Sequence, residues 1–177
     1  MSRPRIHALS AVPMSEAQKQ RLASLGDLHY WDVSVGDPRV AELVRGAEIL
    51  VITPRVGLDI APHIEGCRLI AVQATGVDAF NLDACRARGV VVCNVPAFST
   101  DAVAEHAFAL LLAAAKRLEE GRPLLRSGAW TTALAYFTLG LKDSTLGLFG
   151  CGRIGERLAE IARAFGMDVV ATVQDPG

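Results

Sequence analysis

The chain has no excess of charge of either sign. Eighteen Lys and Arg against nineteen Asp and Glu leave a formal net charge of -1. That excludes a broad basic surface of the kind nucleic acid requires. Long hydrophobic runs are also missing. The longest, Ala107–Ala115, falls well short of the roughly 20 residues that cross a bilayer. The N-terminal MSRPRIHALSAVPMS has only a short apolar core and no small-residue cleavage site, so no signal peptide is expected. The four cysteines, Cys67, Cys85, Cys93 and Cys151, form no C-x-x-C pair. Three sit in or beside apolar runs and Cys85 falls in a predicted helix, so free, mostly buried thiols in a reducing compartment are expected. No His, Cys, Asp and Glu grouping has metal-ligand spacing. There is no internal repeat and no low-complexity segment. With 51% hydrophobic and 21% charged residues, the composition is that of a globular protein. The expectation is a cytoplasmic protein with no membrane or nucleic-acid partner.

What is present centres on Thr145 to Asp175, TLGLFGCGRIGERLAEIARAFGMDVVATVQD. An apolar run, Thr145–Phe149, meets Gly150, Gly152 and Gly155. An amphipathic run follows, with Ile154, Leu158, Ile161, Ala162 and Phe165 on its apolar face. A second apolar run spans Met167–Val173. The order strand, glycine turn, helix, strand makes G-x-G-x-x-G specific for a dinucleotide. Gly150 permits the tight turn, Gly152 lets a pyrophosphate approach the backbone, and Gly155 lets the helix pack close to the strand. The helix N-terminus offers unclaimed N–H groups to phosphate, and Arg153 can add charge. An acid near the end of the second strand should grip the adenosine ribose. Asp175 is the candidate, though Val173 stands where the acid is expected. NAD is the expected cofactor, with NADP left open. Two strands and one helix cannot bury both faces of a parallel sheet.

The first hundred residues alternate strand and helix signals. Strands are expected at Ile6–Val12, Leu28–Trp31, Glu48–Thr53, Leu69–Gln73 and Val90–Cys93. Ser15 caps a helix to Leu25 that Gly26 ends. Further helices are expected at Asp37–Arg45, Leu58–Ile64 and Leu82–Arg88. Short apolar runs with little alternation indicate a parallel sheet covered on both faces, hence a small doubly wound domain.

Two loops stand out. Ala74-Thr75-Gly76-Val77-Asp78 follows a strand, where open α/β sheets bind ligands. Backbone N–H groups at Thr75 and Gly76 can hold a carboxylate; a plain turn with Asp78 capping the next helix is the equal alternative. In Asn94–Ala104, Pro96 breaks the strand and Ser99, Thr100 and Asp101 are helix caps. The helix that follows, AVAEHAFALLLAAAKRL, is apolar on nearly every side and is expected to be buried between layers. Within it, Glu105 and His106 are adjacent and so point about 100° apart. A structural role in the buried helix is therefore the favoured reading for this pair, with a catalytic acid-base pair as the alternative. His7, His29 and His63 have no carboxylate at a telling spacing. A further helix and turn is expected at Arg122–Trp130, with Thr131–Lys142 as a connector.

The stretch ATGVDAFNLDACRARGVVVCNVPAFSTDAVAEHAFALLLAAAKRL, a following Trp and then TLGLFGCGRIG resemble the D-isomer-specific 2-hydroxyacid dehydrogenases. The hydroxypyruvate/glyoxylate reductase and glycerate dehydrogenase branch is most similar, over essentially the whole chain. The resemblance implies a flavodoxin-like doubly wound substrate or lid domain at 1–97. An interdomain helix and connector at 98–142 and the incomplete start of a Rossmann dinucleotide-binding domain at 143–177 would follow. By motif, Thr75, Gly76 and Ser99 would bind a small 2-keto or 2-hydroxy acid. Thr100, Gly150, Gly152, Arg153, Ile154 and Gly155, with Asp175, would hold the cofactor. The long helix would contribute to a homodimer. The family's carboxylate-binding Arg, catalytic His and tuning Glu would all lie beyond this sequence, and His106 does not match that histidine. No catalytic residue is therefore assigned, and these residues alone are expected not to turn over substrate. The alternative is a truncated homologue that binds cofactor or dimerises without catalysis.

Overall fold

A computed structural model describes residues 3–10, 13–54, 59–129 and 137–172. The chain divides into two compact units, Met1–Pro96 and Ala97–Gly177.

The first unit holds five strands: β1 (Arg5–Ser10), β2 (Asp27–Asp32), β3 (Ile49–Ile52), β4 (Leu69–Val72) and β5 (Val91–Cys93). They form one parallel sheet in the order β2-β1-β3-β4-β5, the flavodoxin-like order. Helix α1 (Glu16–Leu25) joins β1 to β2. It starts at a capping box: Gln18 N–H donates to Ser15 Oγ at 3.3 Å, and Ser15 N–H donates to Gln18 Oε1 at 2.8 Å. Helix α2 (Val40–Leu43) is shorter than the expected Asp37–Arg45 because turns flank it. Where Leu58–Ile64 suggested a helix, a 3-10 turn occupies Ala61–His63 with Pro62 in its first positions; Leu58 lies outside the described residues. Helix α3 (Leu82–Ala87) follows β4.

Strand alternation sorts the core into two faces. Leu9, Leu50, Ile52, Ile70 and Val72 pack with Val40, Val44, Ile60, Ile64 and Cys85 on one side. Ile6, Ala8 and Val51 pack with Leu22 and Tyr30 on the other. This second face is covered less completely towards β5, where Val91 is 58% exposed. Cys93 shares that side of the edge strand and is exposed, correcting the expectation that it is buried. Cys67 and Cys85 are buried as expected, and burial raises the pKa of both thiols.

Across β1 and the edge strand β2, His7, His29 and Trp31 form an aromatic cluster, with the two imidazole centroids 5.3 Å apart. His29 does have a carboxylate neighbour, Asp27 at 3.5 Å, because residues two apart on a strand share a face. His7 Nδ1 lies 2.8 Å from the Leu43 carbonyl oxygen, which only accepts, so Nδ1 carries the proton. Burial lowers the His7 pKa from 6.5; His29 and Arg5 also lower it, while the Leu43 carbonyl and Asp27 oppose the shift. The unfolded chain therefore binds the proton more readily than the fold. Stability from this group is complete above the unfolded pKa and is lost as pH falls below it. Urea unfolding at about pH 7.5 and about pH 5.5 should show a larger loss for the wild type than for His7→Gln. An equal loss in both would remove His7 as the cause.

The second unit holds α4 (Thr100–Ala115), α5 (Leu118–Arg126), β6 (Thr145–Phe149), α6 (Arg153–Ala164) and β7 (Asp168–Thr172). Strands β6 and β7 pair in parallel, with Leu146 opposite Val169 and Leu148 opposite Ala171. Phe108 of α4, Ala162 of α6 and Met167 form the buried centre, and Phe108 lies 4.7 Å from Phe165. Only Ala104 and Phe108 of α4 are buried, while Val103 and Leu110 are exposed. The expected burial of α4 on nearly every side is thus corrected: one crossover helix, α6, covers one stripe of it. Glu105 and His106 are exposed, so they join no buried layers. Helix α5 begins four residues before the expected Arg122, after Arg117 adopts a left-handed φ of 49° that separates it from α4. Trp130 and the first half of the Thr131–Lys142 connector, residues 131–136, lie outside the described residues.

Candidate functional site

In the first unit polar groups gather at the carboxyl ends of the strands. Parallel sheets of this kind bind ligands there, where strand order reverses, here between β1 and β3. Ser10 closes β1 and Thr53 follows β3; both are buried. The Ser10 hydroxyl donates to Gln73 Oε1 at 3.1 Å, which ties β1 to the residue after β4. Next come Thr75 and Gly76, both exposed. Asn94, just after β5, donates its Nδ2–H to the Thr75 carbonyl at 2.6 Å. Val95 N–H donates to the Ala74 carbonyl at 3.0 Å. The loop is therefore stitched to its neighbour rather than loosely turned. Asp78 does not cap α3; Asn81 does, its Oδ1 accepting from Ala84 N–H at 3.0 Å. That removes the cap assigned in the plain-turn alternative. Grooves lined by Arg45, His63, Glu65, Arg68 and Arg88 lie near the amino ends of β3, β4 and β5, away from this edge.

In the second unit the glycine turn has the conformation its spacing asks for. Gly150 has φ +93°, a left-handed value that side chains rarely adopt. Its N–H donates to the Thr172 carbonyl at 3.1 Å, with Thr172 Oγ1 at 3.3 Å. Gly152 is the N-cap of α6 and supplies no side-chain cap. The N–H groups opening α6 thus meet no side-chain oxygen from the capping position. A Cβ on Gly152 would meet nothing within 4 Å, whereas one on Gly155 would stand 2.8 Å from the Gly150 carbonyl oxygen. The first glycine makes the turn, the second leaves open space above it, and the third allows contact between turn and helix. Arg153 and Ile154 are both exposed on the first turn of α6. Open space above Gly152 and an uncapped helix start fit a dinucleotide pyrophosphate. Cys151 is half-buried within the same turn.

Ser99 and Thr100 open α4 in this same unit and are half-buried. Ser99 takes the N-cap position without a side-chain cap bond. Asp101, expected as a cap, instead accepts from Arg157 Nε at 2.8 Å. Arg157 also donates to Glu160 at 2.7 Å, on its own helix. This ion pair sets the first turn of α4 beside α6. Asp175 lies outside the described residues. Sequence reading missed Asn94, the Ser10–Gln73 bond and the Arg157–Asp101 pair. Only Asn94 carried a signal, as a polar residue directly after a strand whose carboxyl end faces a ligand edge.

A 2-1-3-4-5 parallel sheet with a polar carboxyl edge and a strand–glycine turn–helix–strand unit define an α/β protein of the nucleotide-dependent dehydrogenase type. The model of the family described as "D-isomer specific 2-hydroxyacid dehydrogenase, catalytic domain" matches residues 7–173. Glyoxylate reductase of Thermococcus litoralis is 36% identical over 154 residues, covering 81% of this chain and 46% of that protein. Glycerate dehydrogenase of Hyphomicrobium methylovorum is 34% identical over 164 residues, covering 89% of this chain and 51% of that one. Among solved structures, D-lactate dehydrogenase from Aquifex aeolicus, complexed with NAD and lactic acid, superimposes with a TM-score of 0.83. The identity is 27%, covering 97% of this chain and 52% of that one. The chain belongs to the D-isomer-specific 2-hydroxyacid dehydrogenase family. It spans about half the length of the curated relatives it matches.

Proposed function

We propose that this chain supplies two binding regions of an NAD(P)-dependent dehydrogenase acting on a small 2-keto or 2-hydroxy acid. The observation that carries the reading is the glycine turn. Gly150 is left-handed, Gly152 opens onto free space, and Gly155 is wedged against Gly150. Gly150, Gly152, Arg153, Ile154 and Gly155 would hold the pyrophosphate, with Asp175 as the ribose partner and Thr100 towards the nicotinamide. Thr75 and Gly76 would take the substrate carboxylate on backbone N–H groups, with Ser99 beside the substrate. The chemistry such a dinucleotide would supply at these residues is hydride exchange with carbon 2 of the acid. The names of the relatives, which act on glyoxylate and glycerate, support a two- or three-carbon acid.

The protein's own contribution is binding and orientation. The only histidine in α4, His106, and its neighbour Glu105 are exposed, and neither belongs to the turn or the carboxyl edge. We therefore read these 177 residues as binding without proton transfer. Apolar side chains exposed on α4 and α5, namely Val103, Leu110, Leu118 and Leu125, support a homodimer. No described helix is long and apolar enough to cross a membrane, which accords with a cytoplasmic place of work. The alternative, a homologue that binds cofactor and dimerises without catalysis, is favoured if the native protein has this chain's mass of 18.8 kDa.

The test uses one sample. NADH should shift the amide resonances of Gly152, Arg153 and Ile154 in a saturable way. In the same sample, absorbance at 340 nm should stay at the no-protein rate after glyoxylate is added. No shift at those amides would sink the dinucleotide reading. Substrate-dependent loss of absorbance would sink the claim that these residues bind without turnover.

A further inference from the structure

The first unit carries a group not yet given a role, the side chain of Asn94. It stands at the exit of β5, is exposed, and donates to the Thr75 carbonyl at 2.6 Å. An exposed amide is not required to fill the core or to satisfy a buried partner. Its bond is nevertheless short, and it falls on one of the two peptide units whose N–H groups are assigned to an anion at the loop.

The peptide joining Thr75 to Gly76 is planar and trans, so its C=O and N–H point in opposite directions. Asn94 holds the carbonyl towards β5. The Gly76 N–H of the same peptide must then point away from β5. One residue back, the Val95 N–H to Ala74 carbonyl bond at 3.0 Å fixes the preceding peptide. Two successive peptides are thereby held from the same neighbouring strand end, one by backbone and one by a side chain.

Control of this peptide is needed because the loop carries its own anion. Asp78 Oδ2 lies 3.2 Å from where a Cβ of Gly76 would stand. A freely rotating peptide can turn its N–H to that carboxylate, and a loop capped by Asp78 has less to offer an incoming acid. A side-chain donor on the carbonyl opposes that rotation. It takes no charge to the site and needs no contact with the ligand.

We propose that Asn94 is a positioning residue for the substrate carboxylate. By fixing the Thr75 carbonyl it aims the Gly76 N–H at the acid. The inference rests on the assignment of Thr75 and Gly76 to carboxylate binding, and it goes beyond that assignment to the residue that sets the geometry.

The experiment is an amide-shift titration of the 177-residue chain with glyoxylate, comparing wild type, Asn94→Ala and Asn94→Asp. Aspartate is close to isosteric but lacks the donor. The Gly76 resonance of the wild type should move and saturate. In both variants the apparent Kd should rise about tenfold or more, as expected when a charge-assisted hydrogen bond loses its alignment. The free Gly76 resonance should also shift, while the Val95 amide keeps its protection from exchange. Wild-type affinity in both variants would overturn the role of Asn94 and leave the carboxylate reading intact. No movement of Gly76 in the wild type would overturn both. Loss of Val95 protection in both variants would make Asn94 a general support of the sheet edge, which also overturns the inference.

Discussion

Replacing Gly155 with valine is expected to abolish NADH binding and to destabilise the second unit. A Cβ at this position would lie 2.8 Å from the Gly150 carbonyl oxygen. That atom is backbone and has little room to move. Gly150 is held at φ +93°, with its N–H on Thr172. Helix α6 must therefore retreat, which disturbs the packing of Ala162 against Phe108. Overpacking of this kind costs roughly 1–3 kcal/mol, occasionally more. The retreat also misplaces the N–H groups that would meet the phosphates. Gly152→Ala is the informative contrast, because its Cβ would meet nothing within 4 Å. It should leave stability nearly unchanged and still weaken NADH, since the methyl group would occupy the path proposed for the pyrophosphate. The measurement is the NADH-induced shift at Arg153 and Ile154, with the urea midpoint of each variant. Wild-type NADH affinity in Gly155→Val would contradict the assignment of the turn.

Gly26→Ala should produce the largest loss of stability in the first unit. Here conformational freedom is not the issue. Gly26 has φ -169°, extended backbone open to any residue. The constraint is close approach: a Cβ would stand 2.4 Å from the Pro4 carbonyl oxygen and 2.7 Å from Ile6 Cδ1. The Pro4 carbonyl is engaged by Asp27 N–H at 2.8 Å, the bond that leads into the β1–β2 ladder. Ile6 is fully buried and cannot swing into solvent. Relief requires β1 and the end of α1 to separate, at a cost of about 2–4 kcal/mol. Gly46→Ala is the comparison, because a Cβ there meets nothing within 4 Å and only its φ of +76° opposes the change. That costs about 1–2 kcal/mol. Thermal unfolding followed through Trp31 fluorescence compares the two. Equal loss in both variants would show that the contact at Pro4 and Ile6 is relieved cheaply.

Much of the architecture was legible because its signals are local. Short apolar runs such as Ile49–Ile52 and Leu69–Val72 mark buried strands without reference to anything distant. The Ser15–Gln18 capping box is a four-residue pattern, and it starts α1 where it should. The glycine turn was legible for a stronger reason. A left-handed Gly150 and a Gly155 that touches it are demands of the backbone, and no other residue type meets both.

Other features were misread where the outcome depends on what lies alongside. AVAEHAFALLLAAAKRL reads as a helix buried all round, yet α4 has α6 against one stripe and leaves Leu110 exposed. Cys93 ends an apolar run, but β5 is an edge strand and its outer face is uncovered. The same holds for Glu105 and His106, which an all-apolar helix would have buried.

By itself the sequence determined which segments are strands and helices in outline, where the backbone must turn on glycine, and which family the chain resembles. These rest on period, on caps and on the absence of a Cβ, all of which act within a few residues. Tertiary structure alone decided the strand order 2-1-3-4-5, the pairing of Asp101 with Arg157 across 56 residues, and the hold of Asn94 on the Thr75 carbonyl. Those depend on which apolar faces find cover and which strand ends then come to lie side by side. Polar groups far apart in the chain become partners only after that packing has set the distance between them.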